Sequence, residues 1–160
     1  TPRAYWLVSF FGFHLFPTVL TFLGSLSLYP AVAVGSGPLG WLDLVAGVVT
    51  VGAVLLEATA DRELAAFDAS PGGGVMDEGV WSWCRHPNYL GEILFWWGLW
   101  LFAFSASPDW WWTVVGPVSI TLLFVFISIP MIERRQLDRR PSYREYVERV
   151  PALIPWFSGD

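Results

Sequence analysis

Five side chains that can take part in binding or catalysis lie close together in the middle of the chain. They are Arg85, His86, Asn88, Tyr89 and Glu92, which fall within eight residues. The next twelve residues, 93–104, carry no charge and are mostly apolar. Ionisable groups beside lipid are costly and are usually kept for a function. The cluster therefore predicts a polar site at the mouth of an apolar helix.

Pro87 predicts where this helix begins. A proline fits the first helical turn, where its missing N–H has no intrahelical partner to lose. Arg85 and His86 then precede the helix, and the other three polar residues lie on its first turns. Asn88 and Glu92 are four residues apart, so they share one helical face.

Two carboxylates, Glu57 and Asp61, are also four residues apart, in a stretch otherwise made of Ala, Thr and Leu. On one helical face they can orient a ribose, an amide or a guanidinium. The alternative is that Asp61 caps a membrane span at the headgroups while Glu57 extends toward water. An unpaired buried carboxylate would take up a proton, so we expect Arg85 or an arginine of the C-terminal segment as a partner.

The C-terminal segment is rich in arginine and tyrosine. Tyr143 and Tyr146 are three residues apart, and on a helix they would stack on one face. Arg135 and Arg139 precede them, and guanidinium groups bind phosphate oxygens through paired hydrogen bonds. The alternative role of these arginines is to meet anionic lipid headgroups and fix the orientation in the membrane.

The composition indicates a membrane protein. Of 160 residues, 54% are hydrophobic, 18% aromatic and only 14% charged, a balance far from that of a water-soluble domain. Four apolar stretches, roughly 4–28, 39–60, 89–104 and 110–132, are long enough or nearly so to cross a bilayer as helices. We expect one membrane domain of the all-α class, a polytopic transmembrane helical bundle with a cytoplasmic C-terminal helix and tail at 133–160.

The distribution of arginine predicts the orientation. Four crossings place the N-terminus, the loop 61–88 and the C-terminal tail on one side, which then holds all nine basic residues, every one an arginine. Basic residues concentrate on the cytoplasmic side. We therefore expect a multi-pass protein whose loop and tail are cytoplasmic. The exclusive use of arginine points to a GC-rich genome and hence to a bacterial cytoplasmic membrane.

Other kinds of site are not indicated. The chain has one cysteine, Cys84, and no Cys/His spacing typical of zinc, so we expect neither a disulfide framework nor a metal. The first residue is Thr1 rather than methionine, and we expect further N-terminal sequence with additional spans.

Three residues are weaker candidates for a substrate pocket. His14 lies in the middle of the first span, and Trp96 and Trp97 adjoin the polar cluster. For His14 the alternative is a hydrogen bond to a neighbouring helix.

Three ordered motifs carry a resemblance to a known family. They are Glu57-x-x-x-Asp61, the run GVWSWCRHPNYLGE at 79–92, and Tyr143-x-x-Tyr146 followed by Ile154-Pro155-Trp156. Together they resemble the steroid 5-alpha-reductase-like membrane proteins, which include sterol reductases. In that family the cytoplasmic half of the helical bundle holds NADPH, and hydride is delivered to a carbon–carbon double bond of an enone or a related sterol alkene.

The resemblance implies cofactor-binding roles for eleven residues: Glu57, Asp61, Arg85, His86, Asn88, Tyr89, Glu92, Arg135, Arg139, Tyr143 and Tyr146. It also implies that the family's catalytic acid, a glutamate acting with a tyrosine, belongs to spans that would precede Thr1. Phe67-Asp68 stands where relatives carry a basic residue, which removes one expected phosphate contact.

The sequence thus predicts a membrane-embedded, NADPH-dependent reductase that acts on the C=C bond of a lipid or steroid-like molecule. One alternative is an S-adenosylmethionine-dependent membrane methyltransferase, resembling the isoprenylcysteine and phospholipid methyltransferases, which share an Arg-His-Pro-x-Tyr-x-Gly segment. Another is a non-catalytic membrane subunit that binds lipid. The expected partners are the lipid bilayer and an apolar small molecule, with no nucleic acid.

Overall fold

The computed structural model describes residues 5–6, 9–35, 37–70 and 74–155 of the chain. Four helical stretches in this part are long and apolar enough to cross a membrane: α1 at Phe10–Val34, α2 at Trp41–Ala69, α3 at Pro87–Ala106 and α4 at Pro108–Arg139. A shorter helix, α5, follows at Tyr143–Arg149, and a 3₁₀ turn lies at Gly79–Ser82. No strand occurs among these residues. The predicted all-α class with four spans is confirmed.

The helix ends differ in part from the predicted spans. α3 begins at Pro87, as its proline predicts, but α2 continues to Ala69 rather than ending near 60, and α4 continues to Arg139 rather than ending near 132. The residues that follow each apolar stretch are mostly Leu, Ala, Glu and Arg, which favour helix. Each helix ends just before a proline, Pro71 or Pro141. The fall in hydropathy therefore does not mark the end of either helix.

Three residues of the sequence argument lie outside the described part of the chain. They are Thr1, Arg3, which contributes to the predicted orientation, and Trp156, which closes the third motif.

The described chain divides into two compact units. The first holds the residues up to Gly47 together with Trp96–Thr121, and the second holds Val48–Phe95 together with the residues from Leu122 onward. α2, α3 and α4 each contribute residues to both units.

In the first unit, helices approach closely at two glycines. A Cβ atom added to Gly116 would lie 2.5 Å from the backbone oxygen of Leu23, and one added to Gly24 would lie 2.5 Å from a ring carbon of Trp96. Small residues of this kind let membrane helices pack backbone against backbone. Glycine is therefore required at both positions by packing.

In the second unit, Gly91 brings the first turns of α3 against α2. A Cβ atom added there would lie 2.8 Å from the Cβ of Glu57, 2.9 Å from the backbone oxygen of Ala53 and 2.9 Å from the backbone nitrogen of Glu57. Two of these three atoms belong to the backbone and cannot rotate away. The contact fixes the start of α3 beside the middle of α2.

The segment 74–86, which precedes α3, also packs on α2. The ring of Trp81 forms a buried cluster with Ala60 and Val80, and its Nε1–H donates to the backbone oxygen of Ala60 at 3.1 Å. The N–H of Val80 donates to a carboxylate oxygen of Glu63 at 3.0 Å. The segment 74–86 therefore packs on the part of α2 from residue 60 onward, where the helix extends beyond the predicted span.

We predict that Gly91→Ala destabilises the protein, whereas Gly52→Ala in the neighbouring helix does not. A Cβ at Gly91 meets fixed backbone atoms, whereas one at Gly52 meets nothing within 4 Å. Overpacking of this kind costs about 1–3 kcal/mol, and alanine in an open helix position gains up to about 1 kcal/mol over glycine. Thermal unfolding in detergent, followed by tryptophan fluorescence, should show a lower Tm for the first variant only. Equal Tm values for the two variants would contradict the close contact at Gly91.

Candidate functional site

The second unit contains a cavity of about 240 Å³ beside the first turn of α3. Six of the residues predicted from the sequence line it: Arg85, His86, Asn88, Tyr89, Tyr143 and Tyr146. Trp81 adds another aromatic ring, and Gln136 and Arg140 add polar groups from the end of α4. Such a wall suits a ligand that combines flat rings with hydrogen-bonding or anionic groups.

The residues immediately before α3 are held by the C-terminal segment. The N–H of Arg85 donates to the backbone oxygen of Pro151 at 2.8 Å, and the N–H of His86 donates to that of Ala152 at 3.1 Å. These bonds satisfy backbone donors at a helix start, where no intrahelical acceptor exists. Both side chains therefore enter the cavity wall from a fixed backbone.

The side chain of Arg85 is buried and fully engaged. Its Nε lies 2.8 Å and its Nη2 2.7 Å from the same carboxylate oxygen, Oε1 of Glu133. Its Nη1 donates to the backbone oxygen of Val147 at 3.0 Å and to that of Val150. The expected pairing of Arg85 with the carboxylates of α2 is thus corrected, because its charge is neutralised by Glu133 of α4.

The ring of His86 shares this carboxylate. Its Nε2 lies 3.1 Å from Oε1 of Glu133, and its ring is stacked on that of Tyr89 with centroids 5.5 Å apart and planes 9° apart. Tyr89 in turn contacts the ring of Phe124 at 4.5 Å. The carboxylate of Glu133 is therefore linked through the imidazole of His86 to the ring of Tyr89, which lines the cavity.

Asn88 connects the cavity to the carboxylate pair of α2. Its Nδ2 donates to Oδ1 of Asp61 at 3.2 Å, while its own Oδ1 accepts from the N–H of Tyr89 at 3.0 Å. Glu57 lies within electrostatic range of Asp61 and Glu92. None of these three carboxylates lines the cavity, and Asp61 is linked to it through the bond from Asn88.

The arginines at the end of α4 and just after it differ in whether they line the cavity. Arg135 and Arg139, which were predicted to bind phosphates, are exposed and do not line the cavity. Gln136 and Arg140 do, and Nη1 of Arg140 also donates to the backbone oxygen of Gly74 at 2.7 Å. Arg140 makes no ion pair with a carboxylate in the described part of the chain. It is the lining residue whose positive charge remains available to a ligand.

The predicted pairing of Tyr143 and Tyr146 on one face of a helix is confirmed. Both are buried on α5, with ring centroids 5.6 Å apart, and the Tyr146 hydroxyl donates to the backbone oxygen of Trp81 at 2.5 Å. Burial raises the pKa of Tyr143 to about 12 and raises the pKa of Tyr146 as well. Both phenols therefore stay neutral at physiological pH, and the Tyr146 hydroxyl keeps the hydrogen that it donates to Trp81.

An exposed ion pair adds to the contact between the C-terminal segment and residues 74–86. Nη2 of Arg149 lies 2.6 Å from Oδ2 of Asp77. Together with the bonds from Arg140, Tyr146 and Arg85, it holds the two segments that form much of the cavity wall.

The three weaker candidates belong to the first unit. His14 is exposed, and its backbone oxygen accepts from Thr18 at 2.7 Å. Trp96 packs against Gly24, and Nε1 of Trp97 donates to the hydroxyl of Thr121 at 3.1 Å. A role for them in a substrate pocket stays a prediction.

Three polar residues of the site, Glu133, Gln136 and Arg140, were not predicted from the sequence. A usable signal for Glu133 was present, because a buried arginine needs an acid and Glu133 is the acid at the end of the last apolar stretch. For Arg140 helical spacing gives no signal, because this residue follows the last residue of α4 in an extended conformation, with φ −135° and ψ 97°.

Comparison with known proteins identifies the family. The family model described as "Protein of unknown function (DUF1295)" matches residues 1–150. The chain therefore belongs to this family of membrane proteins.

Two curated relatives match part of the chain. An uncharacterized protein of Schizosaccharomyces pombe is 32% identical over 91 residues, which are 56% of this chain and 26% of the relative. Methanethiol S-methyltransferase 1 of Bradyrhizobium diazoefficiens is 33% identical over 81 residues, which are 48% of this chain and 25% of the relative. The match spans about a quarter of the length of each relative. No solved structure matches the chain.

The thiol of Cys84 is predicted to be unreactive in the folded protein. It is 1% exposed, and burial raises the pKa of the thiol, against smaller opposite effects of the His86 backbone and the Arg85 charge. A raised pKa lowers the thiolate fraction at any pH below it, and the thiolate is the reactive form. N-ethylmaleimide should label Cys84 slowly from pH 7 to 9 and rapidly after denaturation in SDS.

The matched control is Ser82→Cys, which places a thiol on an exposed position of the same segment. This thiol should react rapidly in the native protein, at a rate that rises with pH. Native labelling of Cys84 as fast as that of the introduced cysteine would contradict the burial of the segment.

Proposed function

We propose that the cavity of the second unit binds NADPH and that the protein is a membrane-embedded reductase of a lipid or steroid-like enone or alkene. The observation that carries the proposal is Arg140, a guanidinium on an aromatic cavity wall with no carboxylate partner among the described residues. The resemblance to steroid 5-alpha-reductase-like proteins, through the motifs at 57–61, 79–92 and 143–156, supplies the reaction class.

The basic surface beyond Arg140 supports a cofactor with several phosphates. Ile132 and Gln136 line the cavity, and each is followed three residues later by an arginine, Arg135 and Arg139 respectively. Residues three apart on a helix are neighbours, so the two exposed arginines flank the cavity-facing side of α4. Guanidinium groups so placed can take phosphate oxygens in paired, charge-assisted hydrogen bonds.

The wall chemistry supports the ring and ribose parts of a nucleotide. Trp81, Tyr143 and Tyr146 offer aromatic faces for stacking, and the amide of Asn88, held by Asp61, offers polar groups for a ribose or a carboxamide. A cavity of 240 Å³ lies just below the usual range of ligand pockets, about 300–1,000 Å³. It suits one ring-and-ribose half of a dinucleotide, with the other half along the exposed arginines.

Residues of this chain would hold and orient the cofactor and exclude water from it. When bound, NADPH supplies the hydride for one carbon of the double bond, and a proton completes the other carbon. An apolar substrate would reach the enzyme from the bilayer. Since the cofactor is cytoplasmic, the proposal also requires that the cavity face the cytoplasm, in agreement with the orientation that the arginines predict.

A second candidate is an S-adenosylmethionine-dependent methyltransferase. The relative named methanethiol S-methyltransferase supports it, and so does the charge of the cavity wall. Arg85 is neutralised by Glu133, so among the described residues that line the cavity Arg140 is the available arginine, which suits a single carboxylate. Aromatic rings such as those of Trp81 and Tyr89 also suit a sulfonium.

The proposal predicts that the purified chain binds NADPH and that Arg140→Gln weakens this binding. Loss of a hydrogen bond to a charged group costs about 1.5–3 kcal/mol, so the Kd should rise by about tenfold or more. Arg134→Gln is the matched control, because Arg134 is exposed and lies two residues from Gln136, on the opposite side of α4. Isothermal titration in detergent measures both variants.

The same titration separates the two candidate functions. Heat with NADPH, lost in Arg140→Gln and kept in Arg134→Gln, would support the reductase. Binding heat with S-adenosylmethionine and none with NADPH would favour the methyltransferase over the reductase. Equal loss of NADPH affinity in both variants would show that the arginines attract the cofactor through general charge and that Arg140 is no specific contact.

A further inference from the structure

Glu133 accepts three donors on one oxygen atom. Nε and Nη2 of Arg85 lie 2.8 Å and 2.7 Å from its Oε1, and Nε2 of His86 lies 3.1 Å from the same atom. An ionised carboxylate can only accept hydrogen bonds, so Nε2 of His86 carries the hydrogen in this contact. The carboxylate therefore fixes both the tautomer and the plane of the imidazole.

The plane of the His86 ring matters because it continues into the cavity wall. His86 and Tyr89 both line the cavity, and their rings lie 9° from parallel at a centroid distance of 5.5 Å, within the range of offset stacking. Rotation of the imidazole would remove the flat neighbour of Tyr89. The orientation of a cavity-lining ring thus depends on a carboxylate that does not line the cavity.

We propose that Glu133 is a positioning residue of the cofactor site, which acts through His86 on the ring of Tyr89. The inference rests on the proposed function, since it assumes that a nucleotide cofactor occupies this cavity. It adds a residue outside the cavity wall to those that determine cofactor affinity.

The contact between Glu133 and Arg85 offers a competing explanation, namely that Glu133 only stabilises the fold. Arg85 has other anchors, because its Nη1 also donates to the backbone oxygens of Val147 and Val150. A purely structural role would act through Arg85 and would be indifferent to the nitrogen atoms of His86. The two explanations therefore differ in whether the effect of Glu133 passes through the imidazole.

A double-mutant cycle between Glu133→Gln and His86→Phe tests this difference. The phenylalanine keeps a flat ring for stacking on Tyr89 but has no N–H for residue 133. Glu133→Gln alone replaces the charged acceptor by a neutral amide, one end of which can only donate, and should raise the Kd for NADPH by about tenfold. In the His86→Phe background, Glu133→Gln should raise the Kd for NADPH by less than about twofold, because residue 133 no longer has an imidazole to orient.

Controls keep the result interpretable. Glu145→Gln removes an exposed carboxylate from α5 and should leave the Kd at the wild-type value. Thermal unfolding checks that each variant folds. If Glu133→Gln does not fold, the cycle uses Glu133→Asp, which keeps the charge but withdraws the shared oxygen from both Arg85 and His86, and the same coupling is expected.

Additive effects in the two backgrounds would overturn the positioning role while leaving the proposed function intact. If S-adenosylmethionine is the ligand that binds, the cycle is measured with it, and the same coupling is expected. Binding of neither ligand to the wild-type chain would overturn the proposed function and the positioning role together.

Discussion

A buried guanidinium must be neutralised and hydrogen-bonded, and Arg85 meets both requirements through Glu133 and the backbone oxygens of Val147 and Val150. Arg85 is 8% exposed. Removing one partner of a buried ion pair costs about 3–5 kcal/mol, because the other charge is left uncompensated. The interaction therefore dictates that α4, the start of α3 and the C-terminal segment meet at one point of the second unit.

The cavity forms where α4, the start of α3 and the C-terminal segment come together. One part of its wall comes from residues 75–89 and another from residues 132–146. The exposed ion pair between Arg149 and Asp77 also joins these regions, but surface pairs contribute only about 0–1 kcal/mol. The buried contacts of Arg85, and the bond from Tyr146 to Trp81, therefore dominate. A ligand in the cavity would touch the C-terminal segment and the segment before α3 at once.

Local rules were sufficient to predict several features from the sequence. The apolar stretches predicted four spans, Pro87 predicted the start of α3, and the spacing of Tyr143 and Tyr146 predicted their shared face. Each of these depends on residues close in sequence. Six of the eleven residues implied by the family resemblance line one cavity, because the motifs that carry it fall on the segments that meet at Arg85.

Features that depend on tertiary contacts were not predictable in this way. The partner of Arg85 lies 48 residues away, and the position of Glu133 at the end of the last apolar stretch does not by itself show that Arg85 pairs there rather than with the carboxylates of α2. The cavity-facing arginine was missed for a different reason. Hydropathy ended the last span near 132, whereas the helix runs to Arg139 and Arg140 follows it in an extended conformation, so helical spacing could not indicate that Arg140, rather than Arg135, lines the cavity.

The central claim is that a cofactor binds between the C-terminal segment and the segment before α3. Hydrogen–deuterium exchange of the detergent-solubilised chain, with and without NADPH, tests it most directly. The account predicts that NADPH slows exchange in residues 74–90 and 140–152 together, including the N–H groups of Arg85 and His86, which bond to Pro151 and Ala152. Slower exchange confined to other parts of the chain, or no change in either segment at saturating NADPH, would contradict the claim.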